Sequence, residues 1–298
     1  DLVGFSIIFP LFPDMLEYYS RPEGGFFADW INQLAEFSGE TGDKKFTATV
    51  LFGGILGSLY SILQFLFAPM WGRLSDRIGR RPVLLITIGG LCVSYLVWIF
   101  SHSFLLLIIS RVLGGAMGGN ISVATAAMAD STDEKNRAKG MGMIGMAFGL
   151  GFILGPAIGA LLSSPSLNIQ SWGLPGLNPF STAAAGAFLL SLWNLSWVMR
   201  SFKESLPEEE RGKAHRAGRP ISPLKLFRGF DIPGVSRTNM VYFLFLVAFA
   251  GMEFTLTFLA KDRLNYTSHD MMWIFIFVGL IIALVQGGVV RRMAPKLG

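Results

Sequence analysis

Charge is scarce in this chain: 15% of its 298 residues are Asp, Glu, Lys or Arg, against about 25% in soluble globular domains. Cysteine is scarcer still. The single Cys92 cannot close an intramolecular disulfide, which excludes a stapled secreted fold and an all-cysteine zinc site and leaves the redox compartment open. His102, His215 and His269 are the three histidines, and they show no metal-ligand spacing. Serine-nucleophile, HExxH and phosphate-loop patterns do not occur, so neither hydrolytic chemistry nor ATP hydrolysis has residues to rest on. No metal or other cofactor is called for, and any work the chain does must draw on a gradient.

Apolar residues are in excess: 52% of the chain is hydrophobic, with a mean hydropathy of +0.51. The 35 glycines and 26 phenylalanines suit helices that approach closely through small residues and show bulky ones to lipid. Seven uncharged runs have spanning length, 46–69, 83–100, 104–129, 140–163, 181–199, 239–260 and 271–290. They contain two charged residues, Arg111 and Glu253, where the chain average predicts about 23. A charge at the centre of a spanning helix costs about 2.5–3.5 kcal/mol on insertion scales, so this segregation is a bilayer signal. At these lengths each span must satisfy its own backbone as a helix. An eighth apolar stretch, DLVGFSIIFPLFPDML, opens the chain at Asp1 and reads as a helix lacking its first turns. The chain is therefore expected to lie within a longer protein.

Lys and Arg sort by alternate loops. Nineteen fall in 72–82, 130–139, 200–237 and 291–298, and five on the opposite side, which places the richer loops in the cytoplasm. The net charge of +5 is thus spread over four membrane loops and does not build a nucleic-acid surface. The layout predicts a six-helix bundle over 1–200, a cytoplasmic linker over 201–237, rich in Pro, Gly and both charge signs, and the first two helices of a second bundle over 238–298. ISPLKLFRGF, at 221–230, predicts a short surface helix. Within the external 19–45 segment, Trp30, Ile31, Leu34 and Phe37 share helical spacing.

GRLSDRIGRRPVLL, from Gly72 to Leu85, resembles the signature loop of the major facilitator superfamily at every fixed position. Gly72 and Gly79 would allow tight turns or close approach, Asp76 would cap a helix or pair with an arginine, and Arg77, Arg80 and Arg81 would supply cytoplasmic charge. Leu107, Arg111, Gly114 and Gly115 are similar to a second family motif, with Gly114 in place of its usual glutamine. Gly151, Gly155, Pro156 and Gly159 resemble the motif of drug/proton antiporters, with Ala160 at its last glycine. Small residues at i, i+4 and i+8 make a flat face for helix packing, and Pro156 permits bending there. The opening Asp1 to Gly4 with Pro10 and Pro13 looks like the first helix of tetracycline-exporter-type members, and GMEFTLTFLAKDR, Gly251 to Arg263, looks like their animal branch. VQGGVVRRMAPKLG, Val285 to Gly298, resembles a degenerate second signature loop without its aspartate.

The resemblance implies an all-α polytopic fold with about eight of twelve helices in this chain, the first truncated, and expects further residues upstream and four helices downstream. It implies secondary transport of small amphiphilic organic molecules, organic anions or drugs, by proton-coupled antiport with alternating access. Uniport, proton symport, or a receptor or scaffold that kept the fold stay open. The expected partners are a small organic substrate, protons and the lipid bilayer; nucleic acid is not among them, and a monomer is expected.

Intramembrane charge generally faces a partner or a cavity. Arg111 and Glu253, both on the external side of their span midpoints, are read as pathway residues, Arg111 for an anion or acid partner and Glu253 for a proton or cation. An internal Arg–carboxylate pair remains the competing reading. Asp1 matches an exporter aspartate position, where a desolvated carboxylate could carry the coupling proton. Gln64 and Asn120 complete the polar set, with interhelical bonding the simpler role for both. Asp14 and Glu17 are placed at the external mouth. Asn265, in Asn-Tyr-Thr, is an external glycosylation sequon.

Overall fold

A computed structural model describes residues 2–19, 33, 44–133, 136–212 and 234–285. Every regular element among them is helical. The first span is α1 (Leu2–Ser6), a 3-10 turn (Phe9–Leu11) and α2 (Phe12–Tyr19). It is broken because Pro10 and Pro13 bring no N–H to a helical ladder. Then come α3 (Lys44–Ile78), α4 (Arg80–Ile99), α5 (Phe104–Gly118), α6 (Ile121–Asp130), α7 (Arg137–Leu162) and α8 (Ser181–Ser201). Two helices follow the polar stretch, α9 (Val235–Leu264) and α10 (Ser268–Leu284).

Six helical stretches are long and apolar enough to cross a membrane, with α5 and α6 together making one, Phe104–Asp130, and α10 contributes a shorter apolar helix. Large side chains such as Leu105, Leu189, Trp193 and Phe277 are more than 60% exposed on their outer faces. A soluble protein would not leave so much apolar surface in water, and the chain is a multi-pass integral membrane protein. Asp1, the segment around Trp30, residues 221–230 and residues 286–298 lie outside the described residues.

One expectation needs correction. The 72–82 stretch, read as a loop from its polarity, is almost wholly helical: α3 runs to Ile78 and α4 starts at Arg80. Polarity there marks the helix leaving the bilayer and not the end of the helix. Gly79 alone turns the chain, at φ 106° and ψ 159°, a region essentially reserved for glycine. Pro82 is tolerated in the first turn of α4 because N–H groups there have no intrahelical acceptor. Gly72 is mid-helix, and a Cβ added to it would meet Ser122 Oγ at an ordinary 3.6 Å. It serves neither of the roles expected of it.

The first six spans share a core of Ile7, Ile8, Leu11, Met15, Leu16, Trp98, Leu107, Ala183, Ala184 and Ala187. A smaller cluster, Val83, Leu84, Ile88 and Val123, closes the cytoplasmic end. A third, Ala260, Met271 and Phe275, takes in Phe9 of the first span. It joins the last two helices to the first span, and Gly279 of α10 also lets Ile153 of α7 approach.

Candidate functional site

The fourth span bends between α5 and α6, and the bend determines which polar groups cross the bundle. Asn120 N–H bonds Met117 O at 3.2 Å, a three-residue step that leaves the Ala116 and Gly118 carbonyls free of their usual helical donors. Trp71 Nε1 donates to Ala116 O at 2.6 Å and Gln64 Nε2 to Gly118 O at 3.0 Å, while Ser122 Oγ donates back to Ala68 O at 2.8 Å. Gln64 is thus interhelical glue between α3 and α5. Asn120 is 6% exposed at the bend itself. Close approach is possible because Gly115 and Gly119 face the α3 backbone; an added Cβ would stand 2.7 Å from Tyr60 O and 2.8 Å from Ala68 N.

Arg111 lies a little over two turns before that bend and is 4% exposed. Its guanidinium carbon sits 4.6 Å from the centroid of the Trp98 ring. Its Nε and Nη2 donate to Ser110 Oγ at 3.3 and 3.2 Å. Tyr95, Tyr60 and Tyr19 are buried in the same bundle. Tyr19 is itself fixed by donation to Ser101 O, which also accepts from Asn178 Nδ2 at 3.1 Å. Among the described residues no carboxylate pairs with Arg111. Glu253 belongs to α9, but its side chain lies outside the described atoms.

An aromatic wall adjoins this site, and sequence reading did not find it. Phe5 stacks on Tyr60 at 4.7 Å and meets Phe9 edge-on at 5.1 Å; Phe9 stacks on Phe152 at 5.8 Å. Phe9 also touches the third cluster, so the wall borders α9 and α10. The chain has 26 phenylalanines, and only folding shows which three converge.

The antiporter-like motif faces the first span. Ser6 Oγ donates to Gly151 O at 2.7 Å. A Cβ at Gly155 would collide with Ser6 Oγ and stand 2.8 Å from Val3 O, and one at Gly159 would collide with Ile7 O. Pro156 lies between these glycines inside α7, where its missing N–H weakens the ladder beside the contact.

At the cytoplasmic end, Arg80 is 6% exposed and gathers three elements. Its Nη1 donates to Asp76 Oδ1 and Ser75 Oγ, both at 2.6 Å, and its Nε to Asp130 Oδ2 at 2.9 Å. Asp130, the end of α6, was not singled out in sequence. Arg77 is exposed on the last turn of α3. Arg81 Nη2 donates to Met199 O at 2.7 Å.

Glu204 completes this hairpin from the stretch read as a linker. Its carboxylate accepts from the backbone N–H of Arg80 at 2.8 Å, Arg81 at 3.1 Å and Leu206 at 3.0 Å. It thereby caps α4 and occupies the space a Cβ on Gly79 would need. Gly212 N–H bonds Asp76 O at 2.9 Å, so the segment around 204–212 is docked on the hairpin. Partial burial pushes the Glu204 carboxyl up, but donation from Leu206, Arg80 and Arg81, with the Arg211 charge, holds it below the ordinary carboxylate value. A depressed folded pKa gives stability that is complete above the unfolded value and fades as pH falls through the folded one. Glu204→Gln is therefore expected to lower the thermal midpoint at pH 7, with the difference from the parent shrinking below about pH 4. Melts of both proteins across pH 3–7 check this, and a pH-independent difference would contradict it.

Asn265 ends α9 in the left-handed conformation, φ 54°, and is exposed. The hydroxyl of Thr267, the third residue of its sequon, donates to Asp270 Oδ2 at 2.6 Å.

Comparison with known proteins bears on this helical bundle with its glycine-turned Asp–Arg hairpin and buried arginine. The Major Facilitator Superfamily model matches residues 2–298, and the chain belongs to that family. It is 36% identical to mouse (Mus musculus) major facilitator superfamily domain-containing protein 10, across 99% of this chain and 65% of the relative. It is 31% identical to the class C tetracycline resistance protein of Escherichia coli, across 82% of this chain and 58% of the relative. The crystal structure of the human organic anion transporter MFSD10 (TETRAN) superposes with a TM-score of 0.75 at 36% identity, covering 99% of this chain and 70% of that one. The chain thus spans just under two thirds of the mouse protein's length.

Proposed function

We propose that the protein of which this chain is part is a secondary transporter that moves small amphiphilic organic anions by alternating access, in exchange for protons. The observation that carries this reading is Arg111. Burying a charge without an opposite charge costs several kcal/mol, and this arginine's described partners are a hydroxyl and an indole face. Such a site favours an anion. The wall of Phe5, Phe9, Tyr60 and Phe152 offers apolar and π surface to the rest of an amphiphile. A solved relative named as an organic anion transporter supports the same substrate class.

In this reading Glu253 and Asp1 carry protons, while Gln64 and Asn120 hold the fourth span in shape. The Gly72–Arg81 hairpin and the Gly151–Gly159 face are where the bundle moves as a rigid body or bends. Asn265 is a glycan acceptor on the external face. The test is flux of a fluorescent organic anion into proteoliposomes of the full-length protein. Uptake driven by an outward-directed proton gradient is the expected result with a suitably oriented preparation. Flux indifferent to the gradient would leave transport but remove the proton, and absence of flux for every anion offered would remove the activity.

A further inference from the structure

Three residues outside the proposed pathway tie the two bundles together at their external ends. Asp14 and Glu17 stand three apart on α2, hence on one face. Lys261 stands in the last turn of α9. Its Nζ reaches Asp14 Oδ1 at 2.5 Å and Glu17 Oε2 at 3.1 Å. One cation thus bridges the first span of the first bundle to the first span of the second. Directly inward lie Phe9, Ala260, Met271 and Phe275, the apolar contact through which the same ends touch. The ion pairs thus border an apolar contact that joins the first span to α9 and α10.

We infer that Lys261 is a positioning residue of the transport cycle: with Asp14 and Glu17 it forms an external latch that favours the outward-closed state and must break for the mouth to open. This rests on the alternating-access reading and adds to it the groups that set the balance between its two states. The physical reason lies in placement. Asp14 and Glu17 side chains are 41% and 60% exposed and Lys261 is 32% exposed. Water can therefore rehydrate all three at modest cost when the ends part. Ion pairs of this kind are worth little individually. That suits a latch, because a stronger one would trap the closed state. Together the pairs bias an open–closed equilibrium about 3- to 30-fold.

The experiment uses full-length protein in sealed, right-side-out vesicles, on a background without native cysteines. Ala260→Cys, at a position 2% exposed beneath the latch, reports opening by its labelling rate with a membrane-impermeant maleimide. Lys261→Gln is expected to raise that rate about 3- to 30-fold, and Lys261→Arg to leave it near the parental value. Restoring attraction with reversed signs, Lys261→Glu combined with Asp14→Lys and Glu17→Lys, is expected to return the rate toward the parent. A purely structural lysine would not show that reversal. Parental labelling in Lys261→Gln, or persistent fast labelling in the sign-reversed protein, would overturn the latch. Labelling needs no substrate, so a protein that opens yet carries no anion would fail the proposed function alone. If Lys261→Gln does not fold, Asp14→Asn combined with Glu17→Gln removes the same pairs from the α2 side; it is expected to raise the rate by the same factor, and parental labelling there would overturn the latch.

Discussion

Replacing Gly159 with alanine is expected to cost the first bundle about 1–3 kcal/mol or more, the range for overpacking a tight contact. The new methyl group falls on Ile7 carbonyl oxygen, with the Ile7 carbonyl carbon 3.0 Å away. No rotamer can relieve a clash with backbone, so α1 must shift away from α7. The shift would strain the Ser6 to Gly151 hydrogen bond two turns away. The measurement is the thermal midpoint and the monodisperse yield of full-length protein in detergent. Gly89→Ala is the control, since nothing lies within 4 Å of an added Cβ there. Its neighbours along the same face, Ile86 and Val93, are about half exposed. Gly89→Ala is expected to be neutral or slightly stabilising through helix propensity. Equal loss in both proteins would mean that general glycine chemistry, and not the α1 contact, governs the motif.

Removing the charge of Arg111 without its bulk separates binding from folding. Arg111→Met is expected to keep or raise the thermal midpoint, because a buried cation with neutral partners is a liability that an apolar side chain of similar volume removes. Anion flux, by contrast, is expected to fall by a factor of about 10 to 150, the equivalent of losing one charge-assisted interaction of about 1.5–3 kcal/mol. Flux and melting temperature measured on the same preparation give the answer. A large loss of stability with the flux loss would instead identify Arg111 as half of an internal ion pair, with Glu253 or Asp1 as the partner to examine next.

What could be read from sequence follows from which forces are local. Bilayer crossing is set by composition over some twenty residues, so the spans from 46–69 to 239–260 were visible and the helices observed contain them or nearly coincide with them. The signature hairpin was visible because its residue types are rare in combination, yet its secondary structure was misjudged. Charge density marks where a helix meets water, and α3 simply continues to Ile78. Glu204 was hidden for a different reason. It sits among Glu208, Glu209 and Glu210, which carry the same charge and are exposed. Only the return of the chain to the N–H of Arg80 distinguishes it, a contact across 124 positions. The aromatic wall and Asp130 likewise depend on the packing of separate spans. Asp14 and Glu17 were read as mouth residues from their place at the end of the first span, but their pairing with Lys261, 247 and 244 positions away, has no local signal.

The bend at Gly119 and Asn120 has a mechanical corollary. Trp71, Gln64 and Ser122 bond across it to α5 or α3, so flexing the fourth span there would have to rupture three interhelical bonds at once. A break that looks like a joint is splinted. The second and fourth spans are joined there as one lever, and any elastic give has to be sought elsewhere, at the prolines of the first and fifth spans.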